Sequence, residues 1–276
     1  MAGRLYVIAT PIGHLEDLGH RAARVLGEVK VVACEDTRTS RVLLDRYGIT
    51  TPTVALHAHS DAGAIAALVE RLAAGDDIGL VSDAGTPLLS DPGAPLVAQA
   101  IERGIEIVPI PGPSAVLAAL AGAGLPADRF VFLGFLPRDE PEQRELLAPL
   151  RALPLAIVIY ESPHRVGETL AMLGRVLGDR SACLARELTK KFETFDRAPL
   201  SQLAERYAEG ARGEVVLVIG PPIAGAKDEA PVDVDADVRR LLASGAAASE
   251  VARVIAGAHG LSKKEAYKRV LALKSE

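Results

Sequence analysis

The stretch LVSDAGTPLLSDPG, residues 80–93, decides how this chain is read. An apolar run feeds two Gly/Pro turns that carry the acids Asp83 and Asp91. Glycine and proline at such places shape backbone, not side-chain packing. A strand that opens into such turns presents unpaired N–H groups and a carboxylate at the edge of a sheet, where open α/β folds bind ligands. The stretch is expected to form a pocket rim.

Outward from it, apolar runs over residues 5–9, 29–33, 53–56, 78–81 and 105–110 alternate with helical segments. That alternation is the signature of an α/β domain. Gly48, Gly75 and Gly104 each close an amphipathic run where a left-handed helix cap is usual. A second block has strand-like runs over 130–135, 155–160, 181–187, 192–197 and 214–219, and helices over 142–150, 165–177 and 201–209. Its later strands follow closely on one another, so that sheet is expected to be mixed. A helix over 114–122 and the turn GAGLPAD behind it mark the boundary, giving a first α/β domain over 1–115 and a second over 116–222. Residues 223–235, rich in Pro, Ala and acid, are read as a linker. A basic helical unit follows over 236–276, with Gly260 at a helix-helix turn and a capping box at Ser262 and Glu265.

The 276 residues suffice for about two domains with a sizeable core. Hydrophobic residues make up 49% and charged residues 24%, with 4% aromatics and no Trp, so the core is aliphatic and the chain is not disordered. Cys34 and Cys183 each sit in an apolar run, which suits reduced thiols better than a disulfide framework. No signal peptide or membrane span is legible, and a cytoplasmic protein is expected. The net charge of −5 argues against nucleic acid as a partner until its distribution is considered. From Val238 onward eight basic residues face three acids, so the tail is positive while the rest is strongly acidic.

No Walker loop, Gly-x-Ser-x-Gly elbow or Gly-x-Gly-x-x-Gly fingerprint is present, which removes weight from those enzyme classes. Four Gly/Pro-rich segments instead stand at strand ends: residues 9–13, 82–93, 109–115 and 160–165. One alone would be a plain turn; four at successive strand ends point to a ligand site. Ser114 can cap its helix or bind a ligand, and Asp83 can close a turn or face an amine. In Glu35-Asp36-Thr37-Arg38-Thr39-Ser40-Arg41 the acids suit a helix start, with Thr39 or Ser40 as caps, while the paired arginines suit phosphate. The charges of residues 185–191 leave surface ion pairing and substrate binding both open. His57 and His59 lack partners at metal-ligand spacing and are read as a polar wall, with no metal expected.

Together ATPIGHLEDLGHRA, CEDTRTSRVLL, LVSDAGTPLLSDPG, PIPGPSA, GFLPR, ESPHRV and ARELTKKFE resemble the tetrapyrrole methylase family of S-adenosylmethionine enzymes, and within it the ribosomal RNA branch. The resemblance covers essentially the whole chain. It implies an α/β, two-domain tetrapyrrole-methylase-like fold with the cofactor cleft between the domains, plus a small C-terminal helical, helix-turn-helix-like unit. It implies S-adenosyl-L-methionine as cofactor, 16S rRNA of the small ribosomal subunit as partner, 2'-O-methylation of a decoding-centre cytidine, and a homodimer. Tetrapyrrole and diphthine-type methyltransferases are the alternatives within the family. A non-catalytic nucleotide-sensing, nucleic-acid-binding module is the alternative of another class.

Carried over by resemblance, Pro11 lies in the first contact loop, and Ser82, Asp83, Ala84, Thr86 and Pro87 hold the methionine portion. Ser114 and Ala115 contact it from a helix start. Tyr160, Glu161, Leu188, Val215 and Pro199 shape the adenosine pocket. A ribose hydroxyl is a poor nucleophile at neutral pH, so a group that eases its proton away is expected, with Glu35, Asp36, Glu187 and Lys190 as unranked catalytic candidates. Arg38, Arg41, Arg165 and Arg186, with Lys263, Lys264, Lys268 and Arg269 of the tail, are expected to meet RNA phosphates.

Overall fold

The computed structural model describes residues 2–57, 62–222, 234–243, 246–259 and 261–274. The first lobe carries β1 (Arg4–Ile8), β2 (Val31–Cys34), β3 (Thr53–Ala55), β4 (Ile78–Leu80) and β5 (Glu106–Ile110), in the order β3-β2-β4-β1-β5 and all parallel. Helices α1 (His20–Glu28) and α2 (Thr37–Arg46) cover one face, and α3 (Ala62–Ala73) and α4 (Ala94–Glu102) the other. With both faces covered, β2 and β4 are buried at every position, as parallel strands require. Each helix turns a stripe inward: Ala22, Val25 and Leu26 on α1, Leu68, Val69 and Leu72 on α3.

This order has a consequence for ligands. Neighbouring strands β1 and β4 lead to helices on opposite faces, so their outgoing loops diverge and a crevice opens at their carboxyl ends.

The second lobe has β6 (Phe130–Phe135), β7 (Ala156–Glu161), β8 (Ser181–Arg186), β9 (Thr194–Pro199) and β10 (Val215–Ile219), in the order β6-β7-β10-β8-β9. The β6–β7 pair is parallel and the other pairs are antiparallel, so the sheet is mixed as expected. Its outer face packs under α6 (Glu140–Leu147), α7 (Val166–Leu177) and α8 (Leu200–Arg206). The inner face carries α5 (Ala115–Ala123), the first helix beyond β5, and there Ile12 of the first lobe joins Val116, Val158, Ala185, Leu188 and Val216 in one buried cluster. The lobes therefore share a core.

Strand alternation divides β7 sharply: Tyr160 belongs to the inner cluster, whereas Glu161 points to the outer face. There the Glu161 carboxylate is buried and accepts from the Ser162 amide at 2.6 Å and the Thr169 hydroxyl at 2.6 Å, with Arg165 Nη2 at 3.6 Å. A buried carboxylate is tolerated only when so satisfied.

A third unit packs α9 (Val234–Ala243), α10 (Ala248–His259) and α11 (Lys263–Lys274) around Val238, Val251, Ile255, Ala266 and Val270. Helix α9 begins inside the segment read as linker, because Asp235 and Asp237 suit the positive end of a helix. The capping box is present: the Ser262 amide donates to Glu265 Oε2 at 3.1 Å and the Glu265 amide to Ser262 Oγ at 3.2 Å. Gly260, His59 and the rest of the linker lie outside the described residues.

Thr169→Val removes one donor from the buried Glu161 carboxylate and is expected to cost about 1–3 kcal/mol in urea unfolding. An unchanged midpoint would show that the remaining donors suffice.

Candidate active site

At the carboxyl ends of β1 and β4 the two outgoing loops are stitched to each other. The Thr10 amide donates to the Gly85 carbonyl at 2.9 Å and the Gly85 amide to the Thr10 carbonyl at 3.0 Å, an isolated antiparallel bridge. Thr10 Oγ1 also donates to the Ser82 carbonyl at 3.1 Å, and the buried Ser82 hydroxyl turns back onto the Ala84 and Gly85 carbonyls at 3.3 Å. The β5 loop is tied in by Thr86 Oγ1, which donates to the Pro113 carbonyl at 3.1 Å. Gly85 takes φ +83° to make its bridge, a conformation costly for any other residue. Leu88 and Ser90 also hold left-handed backbone, with φ of 75° and 70°, and such strain persists only where surroundings enforce it.

The rim is acidic. Asp83 Oδ1 accepts the Asp36 amide at 3.0 Å and so fastens the β2 loop to the β4 loop. Asp91 is half-buried, and that burial pushes its carboxyl up to about 6; the Ser82 hydroxyl opposes the shift, while the carboxylates of Glu35 and Asp83 add to it. Across the crevice, burial and the Asp91 carboxylate raise the Tyr160 phenol, against a hydrogen bond from the Val116 backbone. Ser90 Oγ lies 2.9 Å from where a Cβ on Gly134 of β6 would stand, which closes the loop against the second lobe. Among the described residues, none of Glu35, Asp83 and Asp91 has an ion-pair partner, so the crevice suits a cationic ligand. Ser114 caps α5 by accepting the Leu117 amide at 3.5 Å, and the Val116 amide of the same turn is engaged by Tyr160. Behind Asp83, a cavity of about 20 Å³ lined by Thr10, Ser40 and Ser82 has room for one water and no more.

The structure sorts the expected residues. Pro11, Ser82, Ala84, Thr86 and Pro87 lie in the stitched loops, Ala115 begins α5, and Tyr160 and Leu188 line the inner face of the second lobe. The side chains of Glu161 and Val215 instead belong to the outer face, because both occupy the outward register of paired strands. Pro199 pairs with Ser181, at the sheet edge opposite Glu161, since the antiparallel β8–β9 hairpin carries it back to the start of β8. These three side chains do not line the crevice.

Asp36, not Thr39 or Ser40, caps α2: its Oδ1 accepts the Arg38 amide at 2.8 Å and its Oδ2 meets Arg38 Nη2 at 2.7 Å. That pairing holds its carboxyl down to about 2, which makes it a weak proton acceptor. Lys190 Nζ reaches Glu187 Oε1 at 3.2 Å and Glu214 Oε2 at 2.9 Å. The Glu214 amide, and then Lys190, hold Glu187 below its ordinary range; burial works against the Lys190 charge, but its two acids raise it overall. Glu35, half-buried beside Asp91, remains the uncommitted member of the catalytic candidates. Asp91 itself was not among the expected site residues, although the second Gly/Pro turn of residues 80–93 carries it.

Most of the expected phosphate-binding arginines are engaged within the protein. Arg41 donates to the Ile49 and Thr51 carbonyls, Arg165 to the Pro137 carbonyl, and Arg186 to Thr194 Oγ1 and the Arg212 carbonyl. Arg269 pairs with Asp235 at 2.5 Å. Arg38 projects outward despite its bond to Asp36, and Lys263, Lys264 and Lys268 are exposed on α11. No group of three or more His, Cys, Asp or Glu able to hold a metal occurs among the described residues, and none of their helices is long and apolar enough to cross a membrane.

Comparison with known proteins gives this geometry its family. The model of the Tetrapyrrole (Corrin/Porphyrin) Methylases matches residues 4–204, which cover the first sheet and every strand of the second but β10. A protein of Mesorhizobium japonicum named ribosomal RNA small subunit methyltransferase I is 48% identical over 98% of this chain and 92% of its own length. Among solved structures, a diphthine synthase superposes with a TM-score of 0.63 at 16% identity, covering 79% of this chain and 90% of that one. A uroporphyrin-III C-methyltransferase from Thermus thermophilus, complexed with S-adenosyl homocysteine, superposes with a TM-score of 0.58 at 22% identity, covering 79% and 97%. The chain belongs to the tetrapyrrole methylase family, together with the ribosomal RNA small subunit methyltransferase I proteins.

Proposed function

We propose that this protein transfers a methyl group from S-adenosylmethionine to the small-subunit ribosomal RNA, at the ribose 2'-oxygen of a decoding-centre cytidine, and that it works in the cytoplasm as a homodimer. The observation that carries the reading is the crevice between β1 and β4, lined by unpaired carboxylates and closed by the inner face of the second lobe. Its donor set fits the cofactor: Glu35 and Asp83 answer the positive charges of the sulfonium and amino groups, and the start of α5 answers the carboxylate. The Thermus relative bound to S-adenosyl homocysteine and the name shared by the sequence relatives support the same assignment.

When bound, S-adenosylmethionine supplies a methyl already activated on sulfur. The protein's task is then alignment: the stitched corners at Thr10 and Gly85 fix where a ligand rests, and reacting atoms held about 3–3.5 Å apart gain most of the acceleration. Tyr160, Leu188 and Ile12 wall the crevice against water. The 2'-hydroxyl proton leaves for a carboxylate oxygen of the rim. Asp91, near 6, is ionised at neutral pH yet more basic than Asp36 near 2, so it takes that proton in preference.

The tail would supply affinity. Ala266 and Val270 of α11 are buried in their own core, while Lys263, Lys264 and Lys268 face solvent and are available to phosphates.

Incubation with methyl-labelled S-adenosylmethionine is expected to put label on a ribose oxygen of small-subunit RNA. Label on a tetrapyrrole precursor, or on neither acceptor, would contradict the reading. Asp91→Asn should lower the transfer rate about 10²- to 10⁴-fold. In the parent protein kcat/KM should climb as pH rises through about 6, because the ionised carboxylate is the working form; a profile unchanged by the substitution would exclude Asp91. Deleting residues 223–276 should weaken RNA binding and its salt dependence far more than cofactor binding, measured by calorimetry. Equal losses would show that the unit serves the fold.

A further inference from the structure

The loop joining β8 to β9, residues 187–193, is held more firmly than a hairpin connection needs. Glu187 and Thr189 adopt φ of 52° and 63°, and Thr189 is β-branched, the class least suited to left-handed backbone. The Lys190 amide donates to the Glu187 carbonyl at 2.9 Å, the Glu193 amide to the Lys190 carbonyl at 3.1 Å, and the Thr189 amide to Glu193 Oε2 at 2.7 Å. Lys190 clamps Glu187 and Glu214, and Thr189 Oγ1 accepts the His14 amide of the other lobe at 3.0 Å. Leu188 is buried against Ile12, so the loop stands on the wall of the crevice.

All of this rigidity presents an exposed aromatic ring. Phe192 is 65% exposed, more than any other large hydrophobic among the described residues, and Lys191 Nζ lies 5.6 Å from its ring centre. The side chains of Glu187, Thr189, Lys190 and Glu193 are spent on the shape of the loop. Among the described residues, Lys191 has no carboxylate partner, and its ammonium lies beside the Phe192 ring.

We propose that Phe192 is a stacking platform for one unpaired base of the RNA acceptor, with Lys191 meeting the phosphate beside it. The inference rests on the proposed function in taking the acceptor to be RNA and the crevice to receive its ribose. A ribose entering the crevice must leave its helix, and a nucleotide taken out of its stack loses contacts that an aromatic side chain replaces. The apolar surface offered is one ring, flanked in sequence by Lys190, Lys191 and Glu193. That is the size of a base, far below the roughly 800 Å² per partner of a stable protein interface. Lysine at the edge of the ring adds the charge that a base alone would not call for but its phosphate does.

The test uses the full chain, fluorescence anisotropy with an unstructured oligoribonucleotide, and methylation of small ribosomal subunits. Phe192→Ala should weaken oligonucleotide binding roughly five- to a hundredfold. Its effect on methylation should fall on KM for the subunit, with cofactor affinity and thermal midpoint held. Phe192→Trp should restore binding, and Phe192→Leu, apolar but without a π face, should behave like Phe192→Ala. Lys191→Gln should reduce the slope of log affinity against log salt by about one. Wild-type binding by Phe192→Leu, or a changed sedimentation state with unchanged RNA affinity, would overturn the proposal while normal methylation by the parent protein left the proposed function standing. Failure of the parent protein to label the subunit or bind RNA would instead remove both.

Discussion

The pair of hydrogen bonds between Thr10 and Gly85 is the constraint on which the rest of the crevice depends. Parallel strands whose helices leave on opposite faces would otherwise let their loops splay apart. Joining the two loops backbone to backbone turns the gap into a floor, beyond which Ser90 and Asp91 meet the second lobe at Gly134 and Tyr160. The second lobe depends on the same corner: Ile12, two residues beyond Thr10, is the first-lobe side chain built into the core of α5 and the inner sheet face. Each such hydrogen bond is worth only about 1 kcal/mol, yet losing one would misplace every group that the corner carries.

Around that corner the protein keeps two kinds of stored cost. Left-handed backbone at Leu88, Ser90, Glu187 and Thr189 falls in the two loops on either side of the crevice, and in no other non-glycine residue described. Burial lifts Asp91 towards neutrality, and the carboxylates of Glu35 and Asp83 repel its charge and add to that shift. Because its folded pKa is raised, Asp91 favours the folded state at pH values where it is protonated and opposes it as pH rises through about 6. Both costs make sense as preparation for a cationic ligand, which would relieve the repulsion while the rigid corners keep their places.

Much of this was legible in the sequence because it is local. The ten strands follow apolar runs, the positive φ of Gly48, Gly75 and Gly104 follows helix ends, and the capping box at Ser262 follows from a spacing of three. What escaped depends on pairing partners distant in the chain. Nothing near Pro199 reveals that a hairpin returns it to Ser181, and nothing near Glu161 reveals that its strand turns that position to the outer face. Predicted β9 came two residues early because the tight turn at Lys190 consumes residues that carry strand-like side chains. The arginines were read as phosphate ligands from their charge, whereas carbonyls of Ile49, Thr51 and Pro137, brought near by folding, claim their donors. Asp91 is the converse case, ordinary in sequence and unusual only once Ser82, Asp83 and Tyr160 surround it.

The most direct measurement is a crystal structure of the protein with S-adenosylhomocysteine. The ligand is expected between the lobes, against the backbone of residues 82–87 and the start of α5, with the Thr10–Gly85 bridge intact beneath it. Ligand bound elsewhere, or a crevice that must break that bridge to admit it, would show that the Thr10–Gly85 corner does not form the site.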